Sequence, residues 1–154
     1  MKIATVIGNL KTYFTNLEWT SDDGTGKTKF KGVYTYPNWL NDDGNPFVII
    51  LDNSGSGASA DNRSIEFNTN IDISFCVNYG TIDKQTEEAK VEEAMLRLRE
   101  AWDYVKTQLF DISTVSSLSV DWSFNPGYTD DYDAELNLYK RTITLVVKEI
   151  ISRA

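Results

Sequence analysis

The sequence contains no histidine, and Cys76 is its single cysteine. Without histidine the chain lacks the commonest general base, the usual zinc ligand and the Ser-His and Cys-His nucleophile pairs. One cysteine cannot form an intrachain disulfide, which fits a reducing compartment. Cys76 falls in the polar phase of a predicted strand, with no basic neighbour to activate its thiol. We therefore expect Cys76 to be a small packing residue where the sheet meets a helix or a partner subunit.

Long apolar runs are also missing. No stretch approaches the roughly 20 consecutive apolar residues that a membrane span needs. The first residues lack the apolar core of a signal peptide, so we expect a cytosolic chain with no membrane contact. Basic residues are scarce, with 15 Lys and Arg against 23 Asp and Glu. A net charge of −8 should repel duplex DNA, so groove binding and base reading are not expected.

The composition is that of a packed globular protein. Hydrophobic residues make up 41% of the chain and aromatic residues 12%. A length of 154 residues fits one domain with a continuous core. The sequence therefore predicts a single domain over residues 1–154, without internal repeats.

Two segments show the three- and four-residue spacing of apolar residues that is typical of amphipathic helices. The first covers roughly residues 2–18. The second covers residues 83–110, with Asp83 as the expected N-cap and Glu93 and Arg97 as a favourable ion pair one turn apart.

The remaining apolar segments predict strands. Residues 65–79 alternate between apolar and polar side chains, as a strand with one buried face does. Residues 47–51 form a short apolar run that predicts a strand covered on both faces. Further strands are expected at residues 30–36, 118–124 and 136–151, with Phe30, Tyr34 and Tyr36 on one face of the first. The predicted fold class is α+β: an antiparallel or mixed sheet packed by an N-terminal helix and one long central helix, in the order α-β-β-β-α-β-β.

Two polar segments are predicted to be loops that contact a partner. Residues 53–62 are too small and polar to pack, and we expect a mobile hairpin tip that becomes ordered on contact with a neighbouring subunit. Replacing residues 55–60 by a tight turn should then spare folding but impair assembly. The acidic segment 125–135 is a second candidate contact. The candidate contact residues in these loops are Gly55, Gly57, Asp61, Tyr128, Asp131 and Tyr132.

Aromatic residues gather near the N-terminal helix and the first predicted strand. Tyr and Trp are enriched at protein interfaces, and a first strand at the sheet edge invites pairing. Each single aromatic is more simply explained as core, but as a group they favour a subunit contact. The candidates are Trp19, Tyr34, Tyr36 and Trp39.

Two motifs that could suggest ligand chemistry are better explained as turns. Residues 21–28 nearly spell a phosphate-binding loop, but a helix precedes them and a strand follows, and Asp22 and Asp23 would repel phosphate. Asp130, Asp131 and Asp133 lack the spacing of a calcium loop and fit a solvated turn. The sequence therefore predicts no enzyme, and no catalytic, metal or cofactor-binding residues.

The order of elements resembles that of the tail terminator proteins of long-tailed bacteriophages, also called tail-completion or head-tail joining proteins. The resemblance spans nearly the whole chain and consists of length, order and texture, without a signature motif. It includes an N-terminal amphipathic helix, an apolar strand at Pro46–Leu51, and a flexible loop. A long alternating strand, Ile65–Tyr79, then leads directly into a second helix, and a final strand contains Tyr139–Leu145.

The resemblance implies a structural viral protein of the virion tail or neck, assembled in the host cytoplasm. Members of that family form a homohexameric ring that caps the tail tube, stops its polymerisation and meets the head connector. DNA would pass through the channel without specific binding, and an acidic lumen would let it slide. The implied partners are copies of the chain itself, the tail tube protein and the connector.

Two alternatives remain open. Another neck or tail-completion subunit would have a similar texture and differ only in its partner. A stand-alone ligand-binding or carboxylate-dependent enzymatic domain would use the acidic loops. That last alternative predicts that Asp130→Asn or Asp131→Asn abolishes an activity without altering assembly.

Overall fold

The computed structural model describes residues 2–22, 24–39, 44–114, 121–124 and 127–152. The fold of these residues is α+β, as predicted. The helices are α1 (Lys2–Asn16), α2 (Glu87–Thr107) and α3 (Leu109–Thr114). The strands are β1 (Glu18–Thr20), β2 (Lys27–Lys29), β3 (Val33–Tyr34), β4 (Phe47–Ser59), β5 (Ser64–Asn78), β6 (Asp121–Phe124), β7 (Thr129–Asp133) and β8 (Leu138–Ser152).

Six of the described strands form one mixed sheet, and five of them follow the order β3-β4-β5-β8-β6. Strand β7 pairs with the first part of β8, beside the edge where β6 pairs further along. Only β3 and β4 are parallel among these pairs; the others are antiparallel. Strands β1 and β2 form a separate hairpin, whose turn includes the phosphate-loop look-alike. Ser21 donates its N–H to the Gly26 carbonyl across that turn at 3.0 Å, so the interpretation as a turn is confirmed.

The helices cover one face of the sheet, but only over half of its length. Phe75 on β5 lies at the centre of this core and is fully buried. Its ring centroid lies 5.7 Å from those of Phe14 and Phe30 and 5.9 Å from that of Trp102 on α2. The apolar phase of β5 faces these helices, which confirms the predicted alternation in its second half.

A second, smaller cluster lies on the opposite face of the sheet. Phe47, Ile49, Cys76 and Leu138 are buried there against Tyr34, Trp39, Leu51 and Leu136. Val48 and Ile50 face the helices instead, so the start of β4 is covered on both faces, as its apolar run predicted. Cys76 is a packing residue in this cluster, on the face away from the helices. Its burial raises the pKa of the thiol, which keeps it protonated.

Several predicted element boundaries are wrong. The strand expected at residues 30–36 is reduced to Val33–Tyr34, and its three aromatics do not share a face. Phe30 packs in the main core, Tyr34 packs beside the second cluster, and Tyr36 is exposed. The N-cap of α2 is Thr86 rather than Asp83, because the Thr86 hydroxyl accepts the Ala89 N–H at 3.1 Å.

The two predicted loops are the largest error. Residues 53–59 belong to β4 and pair with β5, so the turn is confined to residues 60–63. Residues 129–133 form β7, which pairs with β8. Polar composition suggested loops, but in both places backbone pairing with a long central neighbour provides the hydrogen bonds that a polar segment needs. The parts of the predicted elements at residues 40–43, 115–120 and 125–126 lie outside the described residues.

Candidate assembly surface

The far halves of the three long strands extend beyond the helices. We call this part the β-arm; it comprises residues 52–59 of β4, the turn at 60–63, residues 64–70 of β5 and residues 146–152 of β8. Every residue from Asp52 to Arg63 is exposed. Thr69 and Val147, at the base of the β-arm, are buried. The rest of the ribbon buries little apolar surface of its own, so its order comes from backbone pairing and a few side-chain contacts.

Phe67 is the main side chain that organises the β-arm. It lies directly opposite Gly57 in the register. A Cβ atom on Gly55 would lie 2.9 Å from the Phe67 ring, and one on Gly57 would lie 2.8 Å from it. The two glycines therefore make room for the ring, which covers the backbone that they leave bare. They lie in a strand rather than in the mobile loop that the sequence predicted, and their contact role stays a prediction.

The end of the β-arm exposes three isoleucines. Ile65 and Ile151 are opposite each other on the helix side of the sheet and are 49% and 54% exposed. Ile150 points to the other face and is 63% exposed. Ile65 and Ile151 line an open depression of about 330 Å³ beside the turn. Exposed apolar residues grouped in one projecting element are typical of a contact surface.

Asp61 fixes the turn of the β-arm. Its carboxylate accepts the backbone N–H of Arg63 at 2.7 Å. That hydrogen bond, aided by Ser64, lowers the pKa of Asp61. The turn is therefore preorganised, although its surface remains free for a partner.

A second feature joins β7 to β8 near α2. Arg141 is buried, and its guanidinium donates to both Asp130 oxygens, at 2.8 and 3.0 Å. The Tyr139 hydroxyl donates to the same carboxylate at 2.7 Å. These donors, Arg141 first, lower the pKa of Asp130. With its oxygens bonded to Arg141 and Tyr139, the Asp130 carboxylate functions as a structural ion pair.

The tyrosines of the predicted acidic loop are held in place by neighbouring rings. The Tyr128 ring lies 4.0 Å from the Arg141 guanidinium carbon, and Tyr132 stacks on Tyr79 with an interplanar angle of 4°. The Tyr79 hydroxyl donates to the Tyr132 hydroxyl at 2.7 Å, and burial, followed by this bond, raises the pKa of Tyr79. Tyr128 and Tyr132 are each about half exposed. They offer rigid aromatic surface at little entropic cost, as interface anchors do.

Beyond the second cluster, the face of the sheet away from the helices is mostly polar, and many of its charges are paired. Thr144 donates to Asp72 at 2.9 Å, and Lys148 lies 3.1 Å from Glu66. Lys140 lies 3.9 Å from Asp131 and 4.5 Å from the centre of the Trp39 ring. A cavity of about 130 Å³ opens beside Lys140 and is lined by Trp39, Asp131, Asp133, Leu136 and Leu138.

The aromatic group near the first strand separates into different environments. Trp19 is 4% exposed and packs against Phe30 and Tyr104, so it is a core residue of this chain. Tyr34 and Trp39 are half-buried, and Tyr36 is exposed. These three surround β3, which is the sheet edge that the sequence predicted. Their contact role stays a prediction.

Sequence reasoning missed Phe67, Ile65 and Ile151 as surface features, and Arg141 as a buried charge. The alternation in β5 places Ile65 and Phe67 in the same phase as the core residues. The pattern does not show which part of the strand the helices cover. Arg141 was detectable, because it occupies the apolar phase of a strand between Tyr139 and Ile143. A charge in that phase requires a partner, and the acidic segment just before it offers Asp130.

Within the part of the chain that the structure describes, no three His, Cys, Asp or Glu side chains converge in a way that could hold a metal ion. No helix of that part is long and apolar enough to cross a membrane. Neither the models of known protein families nor the curated protein sequences give a match to this chain.

Proposed function

We propose that this chain is a tail terminator subunit of a long-tailed bacteriophage. Copies of it form a hexameric ring that caps the tail tube, ends its polymerisation and joins it to the head connector. The observation that carries this proposal is the β-arm, a paired extension of the sheet whose residues 52–63 are all exposed. An element that is ordered yet largely exposed along β4 and at its turn is suited to contact other subunits rather than to stabilise its own chain.

The side-chain environments support an assembly role over the carboxylate-dependent alternative. The Asp130 carboxylate of the acidic segment is bound by Arg141 and Tyr139. The Cys76 thiol is buried and protonated. The exposed tyrosines Tyr128 and Tyr132 are held rigidly, as aromatic anchors of an interface are.

The sheet face away from the helices fits the polar lining that a ring channel would need. Outside the second cluster that face carries hydroxyl and amide side chains along β5 and β8, and its carboxylates at Glu66, Asp72 and Asp131 have partners. A duplex would meet few free cations there, so it would not be held by phosphate contacts.

The test is capping of tail tubes by the purified protein, followed by negative-stain electron microscopy. The wild-type chain should add a ring with a central hole to one end of each tube and prevent further elongation. An arm-trimmed variant, in which residues 55–69 are replaced by Asn-Gly, should stay folded and fail to cap. The Asn-Gly turn joins the paired positions Ser54 and Asn70 and keeps the pairing of β4 with residues 71–76 of β5.

A control variant, Leu96→Ser, removes an exposed apolar side chain of α2, outside the β-arm, and should cap tubes as the wild type does. Tubes that elongate equally with and without the wild-type protein would refute the proposed function. If the arm-trimmed variant caps tubes, the β-arm is not required for the proposed function.

A further inference from the structure

One row of paired residues crosses the whole sheet at the level of the β-arm. Ser54 pairs with Asn70, Asn70 with Val146, and Val146 with Ser123. At this level the sheet is four strands wide, in the order β4, β5, β8, β6. Each strand is antiparallel to the next, so β4 and β6 run in opposite directions.

Both outer strands of this row have an open edge in the described part of the chain. Strand β3 covers β4 only at Val48 and Ile49, and β6 pairs only with β8. Edges of monomeric sheets are normally protected by charges, proline or bulges. The one irregularity of β4 lies at Asp52 and Ser54, at the base of the β-arm. From there to the turn, residues 53–60 contain no charge and no proline.

We infer that the open edge of β4 pairs with the β6 edge of a second copy of this chain. Because the row contains an even number of antiparallel strands, a copy placed head to tail brings its β4 beside β6 in the antiparallel sense. The sheet then continues from one subunit into the next. A repeated head-to-tail contact closes into a ring when the rotation between copies allows it. The closed form of this contact rests on the proposed ring function.

Charge also favours a second copy as the occupant at this edge. The chain carries a net charge of −8, so most contacts between two copies would bring acidic surfaces together. The uncharged edge of β4 avoids this repulsion. Main-chain hydrogen bonds would supply affinity there, and the small side chains of residues 54–59 would let the strands approach closely.

Paired lysine variants test the edge. Ser54→Lys with Ser56→Lys places two charges on the edge strand. The matched control, Asn70→Lys with Asn68→Lys, changes their direct partners on the same face of the fully paired strand β5. Each variant removes the same Asn70 to Ser54 hydrogen bond. By light scattering, we expect the wild type and the β5 control to form multimers and the edge variant to be monomeric with an unchanged circular dichroism spectrum.

Cysteine crosslinking identifies the strand that occupies the edge, and it applies even where the lysine variant fails to fold. Ser54, Ser56 or Ala58 is replaced by cysteine in turn, each together with Ser123→Cys, and the protein is mildly oxidised. One of these pairs should give a ladder of linked copies, whereas each single cysteine variant should give none. Native Cys76 is buried and protonated, so it stays silent. Dimers formed by a single β4 cysteine, or no ladder from any pair, would overturn the assignment.

Failure of this inference and failure of the proposed function give different results. If the edge lysines leave both the multimer and tube capping intact, the edge contact is refuted while the proposed function stands. If they keep the multimer but abolish tube capping, the edge binds the tube protein instead, which also refutes the inference. If the wild-type multimer does not cap tubes, and the edge lysines convert that multimer to monomers, the edge contact is supported and the tail function is refuted.

Discussion

Replacing Phe75 by alanine is expected to lower the free energy of unfolding by about 4 kcal/mol. Phe75 is fully buried, and its ring meets Phe14, Phe30 and Trp102, so the substitution opens a cavity between both helices and the sheet. Close packing on all sides prevents the surroundings from collapsing into it. Urea denaturation followed by circular dichroism measures the change from the transition midpoint.

The matched control is Phe67→Ala, on the same strand and the same face. Phe67 lies in the β-arm over Gly55 and Gly57, outside the helix-covered half, so its loss should cost only about 1 kcal/mol. The difference between the two phenylalanines measures how much of the sheet the helices cover. Equal losses for both variants would mean that the β-arm is part of the main core, which would contradict its description as an uncovered extension.

Replacing Asp130 by asparagine is expected to lower the free energy of unfolding by about 2 kcal/mol. The substitution leaves the buried Arg141 guanidinium without its counter-charge, and it leaves one acceptor oxygen where Arg141 and Tyr139 now share two. The loss is smaller than for a fully buried pair, because Asp130 is partly exposed. Chemical denaturation of the two proteins measures the difference. Asp131→Asn, which changes an exposed neighbour 3.9 Å from Lys140, should change stability by no more than about 0.5 kcal/mol.

The difference in free energy of unfolding between wild type and Asp130→Asn depends on pH, because the pKa of Asp130 is lowered from its ordinary value of 3.8. A carboxyl with a lower pKa in the folded protein stabilises it fully above the unfolded value, and this stabilisation is lost as the pH falls through the folded value. The gap between wild type and Asp130→Asn should therefore be constant near neutral pH and narrow below about pH 4. A gap that stays constant to about pH 2 would show that the ion pair is not its cause. The enzymatic alternative instead predicts a lost activity with unaltered assembly.

The sequence was sufficient to predict the α+β class, both main helices and the central long strands. These elements depend on local periodicity, which is visible in the chain itself, as in the alternation of residues 71–79. The hairpin of β1 and β2, and the strand β7, were missed because these short segments are strands through pairing with the next segment of the chain, which their composition does not reveal. The order of elements therefore has five strands before α2 and three after it in the described residues, where three and two were predicted.

The candidate surface was located only in part. The segment around Gly55 and Gly57 was correctly singled out as uncovered, but its small polar residues were interpreted as a loop. A strand with such composition is recognisable only once β5 and β8 are known to run beside it for their whole length. In the same way, Tyr128 and Tyr132 were identified as surface aromatics, whereas their anchoring by Arg141 and Tyr79 required the fold.

The central claim is that copies of this chain associate through the β-arm. The most direct test is the solution mass of the wild-type protein and of the arm-trimmed variant, measured by light scattering at matched concentrations. Association through the β-arm into the proposed ring predicts a wild-type particle with six times the 17.5 kDa mass of one chain, and a folded, monomeric arm-trimmed variant. A trimmed variant that forms the same particle as the wild type would contradict the claim.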